Sequence, residues 1–284
     1  MFEKLTAKFQ QINLSKKQLI YIAVLCLFAL IFLISAIYLI TYFVDSARQA
    51  DKYNDLSSIV ASIRNDLANQ PLDPNKPTVP IGDGGEVDPS AILPEYRTIY
   101  EMNKDLVGWI RFEGTRIDYP VVQSPYEKDY YLYRNFNKEY SKDGCIYVRE
   151  ACNVFTPSDN VVIYGHRMNS GAMFADLMHY RDKSFWETHQ TFSFDTIYER
   201  HTYQVISVFV TSANIGEGFS YHMFNDAANQ EEFDQFLNSV HDLQLYDTGH
   251  IAQYGDMLVT LSTCTPRHEQ PSNGRLVVVA KRIS

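Results

Sequence analysis

Three side chains at the ends of apolar runs have the types that acyl transfer through a thiol requires: Cys264, His166 and Arg275. A cysteine attacks a carbonyl as its thiolate, so it needs a base or a cation beside it. The leaving amine needs an acid, and the tetrahedral oxyanion needs directed donors. Arginine suits the last task because it stays charged and holds its donors in a rigid fork. Taken singly, each residue has a plainer reading. Cys264 closes Thr260-Leu261-Ser262-Thr263-Cys264, where a lone thiol often only packs. His166 follows Gly165 at the end of Asn160–Tyr164 and is one of eight histidines. Arg275 follows Gly274 and opens the last apolar run, where a side chain ordinarily meets water.

Spacing ties two of them together. If Met257–Cys264 and Arg275–Ile283 pair as an antiparallel hairpin, the loop Thr265–Gly274 has ten residues. The symmetric register then sets Cys264 opposite Arg275. Opposed residues share a sheet face with Cβ atoms about 4.5–5.5 Å apart. A thioester formed on such a cysteine has two fates: water makes the protein a peptidase, an amine makes it a transpeptidase.

The elements that must position these groups are mainly strands. Trp109–Phe112, Ile117–Val122, Cys145–Val148, Asn160–Tyr164, Phe192–Phe194, Tyr203–Val210, Met257–Leu261 and Leu276–Ala280 are short β-branched and aromatic runs. Eight strands can close into a small barrel. Helical spacing predicts peripheral helices over Pro94–Leu106, after Gly171 (Met173, Phe174, Leu177, Met178), and over Gln230–Leu243, with Phe233, Phe236, Leu237 and Val240 on one face. Glu231, Glu232 and Asp234 fit the start of that last helix as favourable charges.

Upstream the chain changes character. Leu19–Val44 is 26 residues without a charge, about 39 Å as a helix against a hydrocarbon core of about 30 Å. Lys4, Lys8, Lys16 and Lys17 precede it, and mixed signs follow. The positive-inside rule puts residues 1–18 in the cytoplasm and the remainder outside a single span at 19–44. A cleavable signal peptide normally has an apolar region of only about 7–15 residues. Residues 45–91 read as an extracellular stalk. Its first part is a polar helix striped by Leu56, Ile59, Val60, Ile63 and Leu67, free either to continue outward or to pack on the later domain. Pro71, Pro74, Pro77, Pro80, Pro89 and Gly82, Gly84, Gly85 follow. Residues 92–284 remain for the catalytic domain.

Composition narrows the class. The chain is 45% hydrophobic with a net charge of −9, which excludes the basic footprint of a nucleic-acid binder. Four cysteines, one of them in the apolar segment, are too few for a disulfide scaffold. Cys145 and Cys152 have no histidine at zinc spacing and read as packing. No metal and no cofactor is expected.

At these residues the sequence resembles the sortase family, class B. The likeness is carried by Tyr164-Gly165-His166 with Met168, Gly171-Ala172-Met173-Phe174-Ala175-Asp176-Leu177, Thr260–Cys264, and Gly274-Arg275-Leu276-Val277-Val278-Val279-Ala280-Lys281. Gly108-Trp109-Ile110, Thr115–Gln123 and Tyr130-Tyr131-Leu132 extend it upstream, so that it spans about residues 95–284. The resemblance implies an eight-stranded β-barrel with peripheral helices. It implies a membrane-anchored cysteine transpeptidase that cleaves a sorting signal of secreted surface proteins after threonine, of Asn-Pro-x-Thr type more than Leu-Pro-x-Thr-Gly. The acyl group would pass to an amine of the peptidoglycan precursor or, alternatively, to a pilin lysine. It further implies that Leu132, Tyr164, Ser262 and Thr263 line the peptide groove or support the oxyanion site, and that the helix near 230–243 precedes the cysteine strand. Thr265 and Pro266 stand where some members carry an acid.

Other classes fit less well. Papain-like peptidases place cysteine before histidine, the reverse of the order here, and the L,D-transpeptidases resemble a Ser-His-Gly-Cys pattern that is absent. A non-catalytic surface binding domain on a stalk has no need of all three reactive residues.

Overall fold

The computed structural model describes residues 15–69, 90–124, 127–214 and 216–284. Lys4, Lys8 and most of the Pro/Gly-rich stalk segment lie outside the described residues. The chain divides into two compact units, Met1–Arg48 and Gln49–Ser284.

In the first unit the described residues are helical, part of helix α1 (Lys16–Ala68). Side chains such as Phe28, Ile34 and Ile40 are about two-thirds exposed, an arrangement that water disfavours and lipid does not. Among the described residues this is the one helix long and apolar enough to cross a membrane.

The second unit is built on eight strands: β1 (Leu106–Arg111), β2 (Asp118–Val122), β3 (Ile146–Val148), β4 (Asn160–Tyr164), β5 (Thr191–Thr196), β6 (Thr202–Ser212), β7 (Leu258–Cys264) and β8 (Gly274–Arg282). They close into a barrel in the order β1-β2-β3-β4-β7-β8-β6-β5. The expected eight strands and closed barrel are therefore found. β8 pairs with β6 and β7, and every side chain of Leu276–Ala280 is buried; with both faces of the strand covered, that run is continuously apolar instead of alternating. The β2–β3 and β4–β7 pairs are parallel, so their connections must cross over, and helices and turns fill those crossovers.

Two helical expectations change in detail. The helix at Pro94 (α2, Pro94–Met102) stops before Leu106. Asn103 turns extended, its side-chain amide donates to Tyr131 Oη and Phe136 O, and Leu106 already begins β1. The segment after Gly171 forms a 3₁₀-helix over Phe174–Arg181 and then a short α3 (Lys183–Thr188). α4 (Gln230–Asp242) buries Phe233, Phe236 and Val240 before the cysteine strand. Its N-cap Asn229 accepts from Glu232 N, and Glu232 Oε2 accepts from Ala228 N, so that acid serves the helix start.

The second unit begins further upstream than the segment 92–284 set apart by sequence. Tyr53, Leu56 and Val60 of α1 are buried in the barrel's apolar cluster. Polar contacts fasten the same face. Tyr53 Oη donates to Gly144 O at 3.0 Å, Ser57 donates to Asp118, and Arg64 pairs with Asp195 at 2.8 Å and with Tyr96.

Candidate active site

β4, β7 and β8 lie side by side; β4 and β7 end, and β8 begins, at the same rim of the barrel. The β7–β8 hairpin has the register Cys264↔Arg275, as the symmetric loop predicted. Thr265 N donates to Gly274 O at 3.0 Å and closes it. A Cβ on Gly274 would lie 2.3 Å from Thr265 Oγ1, so the close of the hairpin has room only for glycine.

The parallel β4–β7 ladder brings in the third group. Its last pair is Tyr164↔Ser262, and Gly165 N continues the ladder to Ser262 O at 3.2 Å. Two residues further on each chain stand His166 and Cys264. Gly165 is required here for space: a Cβ would sit 2.5 Å from Ile146 Cδ1 and 2.6 Å from Phe174 Cδ2. Phe174 N donates back to His166 O at 2.9 Å, which fixes the backbone just beyond β4.

The loop after His166 is clamped from the barrel side. Arg116 donates from its backbone N to Asp176 Oδ2 at 2.8 Å and from Nη2 to Oδ1 at 2.5 Å. Its guanidinium lies where a Cβ on Gly171 would be, 1.7 Å from Nη1, and Gly171 adopts φ +86°. These contacts give physical roles to Gly171 and Asp176 of the motif.

The imidazole is half-buried, with the Tyr133 ring 5.6 Å away. His166 Nε2 lies 2.8 Å from Leu132 O. A carbonyl only accepts, so Nε2 carries the proton and Nδ1 is left for exchange with a neighbour. Burial works against the imidazolium, yet hydrogen bonding to Cys264 and to Leu132 O, with the nearby Asp143 charge, raises His166 above its ordinary range. Interaction with His166 is the main cause that lowers the Cys264 thiol. Burial opposes it, and Arg275 and Arg167 add to the lowering. Cys145 is instead pushed up to about 12 by burial, and burial also raises Cys152. Both remain free thiols in the core. Of the thiols in the second unit, Cys264 alone is poised as a nucleophile.

Arg275 is held at the rim by its own turn, Nη1 donating to Asn273 O at 3.1 Å and Asn273 Oδ1 at 3.0 Å. The guanidinium is thus fixed by its own turn, the kind of orientation that an oxyanion donor would need.

The four residues expected to line the groove or support the oxyanion site are placed unequally. Leu132 and Tyr164 are partly exposed beside His166 and at the end of β4. Ser262 shares the Cys264 face of β7 but is buried, 2.6 Å from Tyr221 Oη. Thr263 is buried on the opposite face of β7, since strand side chains alternate. Tyr221, Arg167 and Asp143 also act electrostatically on the site and were not singled out from sequence. Tyr221 opens a three-residue 3₁₀ turn, Tyr221–Met223, and Asp143 lies in an irregular turn, both too short for a periodicity to mark them. Arg167 is marked only by its adjacency to His166.

Comparison with known proteins agrees with this geometry. The sortase domain family model matches residues 110–283. The chain is 32% identical over 190 residues to sortase B of Listeria monocytogenes, covering 67% of this chain and 74% of the relative. It is 30% identical over 192 residues to sortase B of Staphylococcus aureus, covering 68% and 76%. Among solved structures, a Staphylococcus aureus sortase B–substrate complex superposes with a TM-score of 0.69 at 25% identity, covering 84% of this chain and 98% of that one. A Bacillus anthracis sortase B complex gives 0.66 at 28% identity, covering 85% and 99%. A cysteine strand paired with an arginine strand, beside a histidine at the end of a parallel neighbour, on an eight-stranded barrel shared with these relatives, places the chain in the sortase family as a class B cysteine transpeptidase.

Proposed function

We propose that this transpeptidase cleaves the C-terminal sorting signal of secreted surface proteins after threonine, with an Asn-Pro-x-Thr signal, and passes the acyl group to an amine of cell-wall peptidoglycan. The observation that carries the reading is the juxtaposition at one rim of Cys264 at the end of β7, Arg275 opposite it on β8 and His166 just beyond the parallel β4, with the thiol lowered and the imidazole raised by their mutual interaction. Cys264 Sγ adds to the threonine carbonyl, and Arg275 donates to the oxyanion. As the C–N bond breaks, His166 gives its proton to the leaving amine and a thioester remains. The incoming amine attacks the thioester carbonyl and loses a proton to His166. The C–S bond then breaks and the pair is restored.

Leu132 and Tyr164 line the path of the peptide in this reading, while buried Ser262, bonded to Tyr221 on the Cys264 face, and buried Thr263 on the other face hold β7 in place. That a Staphylococcus aureus sortase B of the same fold is held in a complex with a substrate supports a substrate site on this fold. The lysines before residue 19 support a cytoplasmic N-terminus, a single span at 19–44 and an extracellular catalytic unit.

The test uses the full chain in detergent micelles with quenched peptides bearing Asn-Pro-Gln-Thr-Asn, Leu-Pro-x-Thr-Gly or scrambled order. Peptidoglycan-type amines or a lysine peptide serve as acceptors. Cleavage after threonine, amine-linked product and their loss in Cys264→Ala are expected. Product with the lysine peptide alone would favour the pilin-joining reading. Cleavage that survives Cys264→Ala would overturn the thioester route.

A further inference from the structure

Asp143 is a buried acid that acyl transfer through Cys264 leaves without a task. It lies in the turn that leads into β3, 6% exposed, and its Oδ2 has no hydrogen-bond partner. Burying a carboxylate without compensation is costly, so such a group either takes up a proton or draws on a positive charge close by.

The backbone brings the imidazole of His166 and the turn of Asp143 to one carbonyl. Leu132 O accepts from His166 Nε2 at 2.8 Å. Gly144, the residue after Asp143, is pressed against that same carbonyl, where a Cβ would be only 2.5 Å away. The turn is pinned on either side: Ser141 N donates to Tyr133 O at 3.0 Å and Cys145 N to Tyr131 O at 3.1 Å. Within it, Asp143 N donates to Ser141 Oγ at 3.2 Å. One 3₁₀ turn, Tyr130–Tyr133, therefore holds both the imidazole and the segment that carries the acid. The electrostatics agree in sign from both sides. Burial pushes the Asp143 carboxyl up and His166 pulls it down, while Asp143 favours the charged imidazole.

We propose that Asp143 is a positioning residue for His166, its buried carboxylate keeping the imidazolium, and with it the thiolate–imidazolium pair at Cys264, assembled to higher pH. The proposal rests on the reading of Cys264 and His166 as a reacting pair. The other groups that face the pair are Arg275 from β8, Arg167 beyond β4, Tyr133 with its ring 5.6 Å from the imidazole, and Tyr221 on the Ser262 side. None of these is an acid that could replace Asp143.

The sign follows from proton affinity. A carboxylate beside His166 raises the pH at which the ring loses its proton, so removing that charge brings the loss to lower pH. The experiment follows alkylation of Cys264 by iodoacetamide against pH, in the full chain in detergent micelles. The Cys264 peptide is quantified by mass spectrometry, so the other three cysteines do not contribute. Two steps belong to the coupled pair, and the upper one is absent in His166→Ala. Asp143→Asn should move the upper step down by about one pH unit, and Asp143→Glu should return it toward the starting position. Asp143→Ser is a second neutral replacement if the amide is not accommodated. Ser141→Ala, which loosens the same turn without a change of charge, should leave the step in place.

An upper step unmoved in both neutral variants overturns the proposal. So does a Ser141→Ala shift as large as that of Asp143→Asn, because the turn's shape and not its charge would then be responsible. A wild-type profile with no step that depends on His166 would instead overturn the reading of the pair itself.

Discussion

Cys264 is the last residue of β7 and faces Arg275 across the hairpin. From that position, in the proposed mechanism, the arginine should not be exchangeable for another cation. Lysine would keep the charge but present a compact ammonium on a flexible stem, without the fork that Asn273 and Gly274 orient. Loss of one directed oxyanion donor costs on the order of 10²–10³ in kcat. Arg275→Lys should therefore fall about that far in steady-state peptide cleavage while its melting temperature stays put. Turnover near wild type would assign the oxyanion to other donors. The pairing behind this prediction was legible in the sequence, because a symmetric ten-residue hairpin loop leaves one natural register. The approach of His166 was not. It depends on the parallel β4–β7 pairing, whose strands are separated by the whole of Gly165–Met257, and no local pattern encodes which strand becomes the neighbour. Asp143 was hidden for a related reason, since its role comes from a turn folded against another turn.

At the scale of elements, the segment Tyr164–Arg181 converts a strand end into a rigid support for the imidazole. Gly165 passes between Ile146 and Phe174, Met173 N donates to Tyr119 Oη at 3.2 Å, and Arg116 clamps Asp176. The sequence marked this stretch as a motif, and the helix expected after Gly171 is present as a tighter 3₁₀ form. The purpose of each glycine needed the packing. An added methyl at Gly165 would overlap a ring and an aliphatic side chain in a core with little slack, at a cost of about 1–3 kcal/mol. Gly165→Ala should lower the denaturant midpoint accordingly and also reduce turnover, because relief of the clash displaces the backbone that carries His166. A variant with full stability and full activity would show that Ile146 and Phe174 move aside without strain.

For the whole molecule, the decisive question is where the catalytic unit begins. The stripe Leu56, Ile59 and Val60 was readable from sequence, but whether that helix stood free or packed was left open, since an apolar face does not name its partner. Tyr53 was missed because its ring packs while its hydroxyl serves Gly144. The structure draws residues 49–68 into the barrel unit. Burial of Leu56 and Val60 alone contributes roughly 3–6 kcal/mol, at about 1.5–3 kcal/mol for each side chain. Domain stability is only about 5–15 kcal/mol in total. Arg64 adds a second effect. It pairs with Asp195 at 2.8 Å and approaches the fully buried Glu95 at 3.6 Å, and removing one partner of a buried pair leaves charge uncompensated. Arg200 also holds Glu95, whereas Asp195 keeps only Tyr96 Oη and His201 N as hydrogen-bond donors. A fragment of residues 92–284 should consequently melt well below one of residues 49–284, or aggregate, although both contain Cys264, His166 and Arg275. Circular dichroism melts of the two fragments check this directly. Equal midpoints would mean that the helix rests on the barrel without stabilising it, and that residues 92–284 suffice as the folding unit.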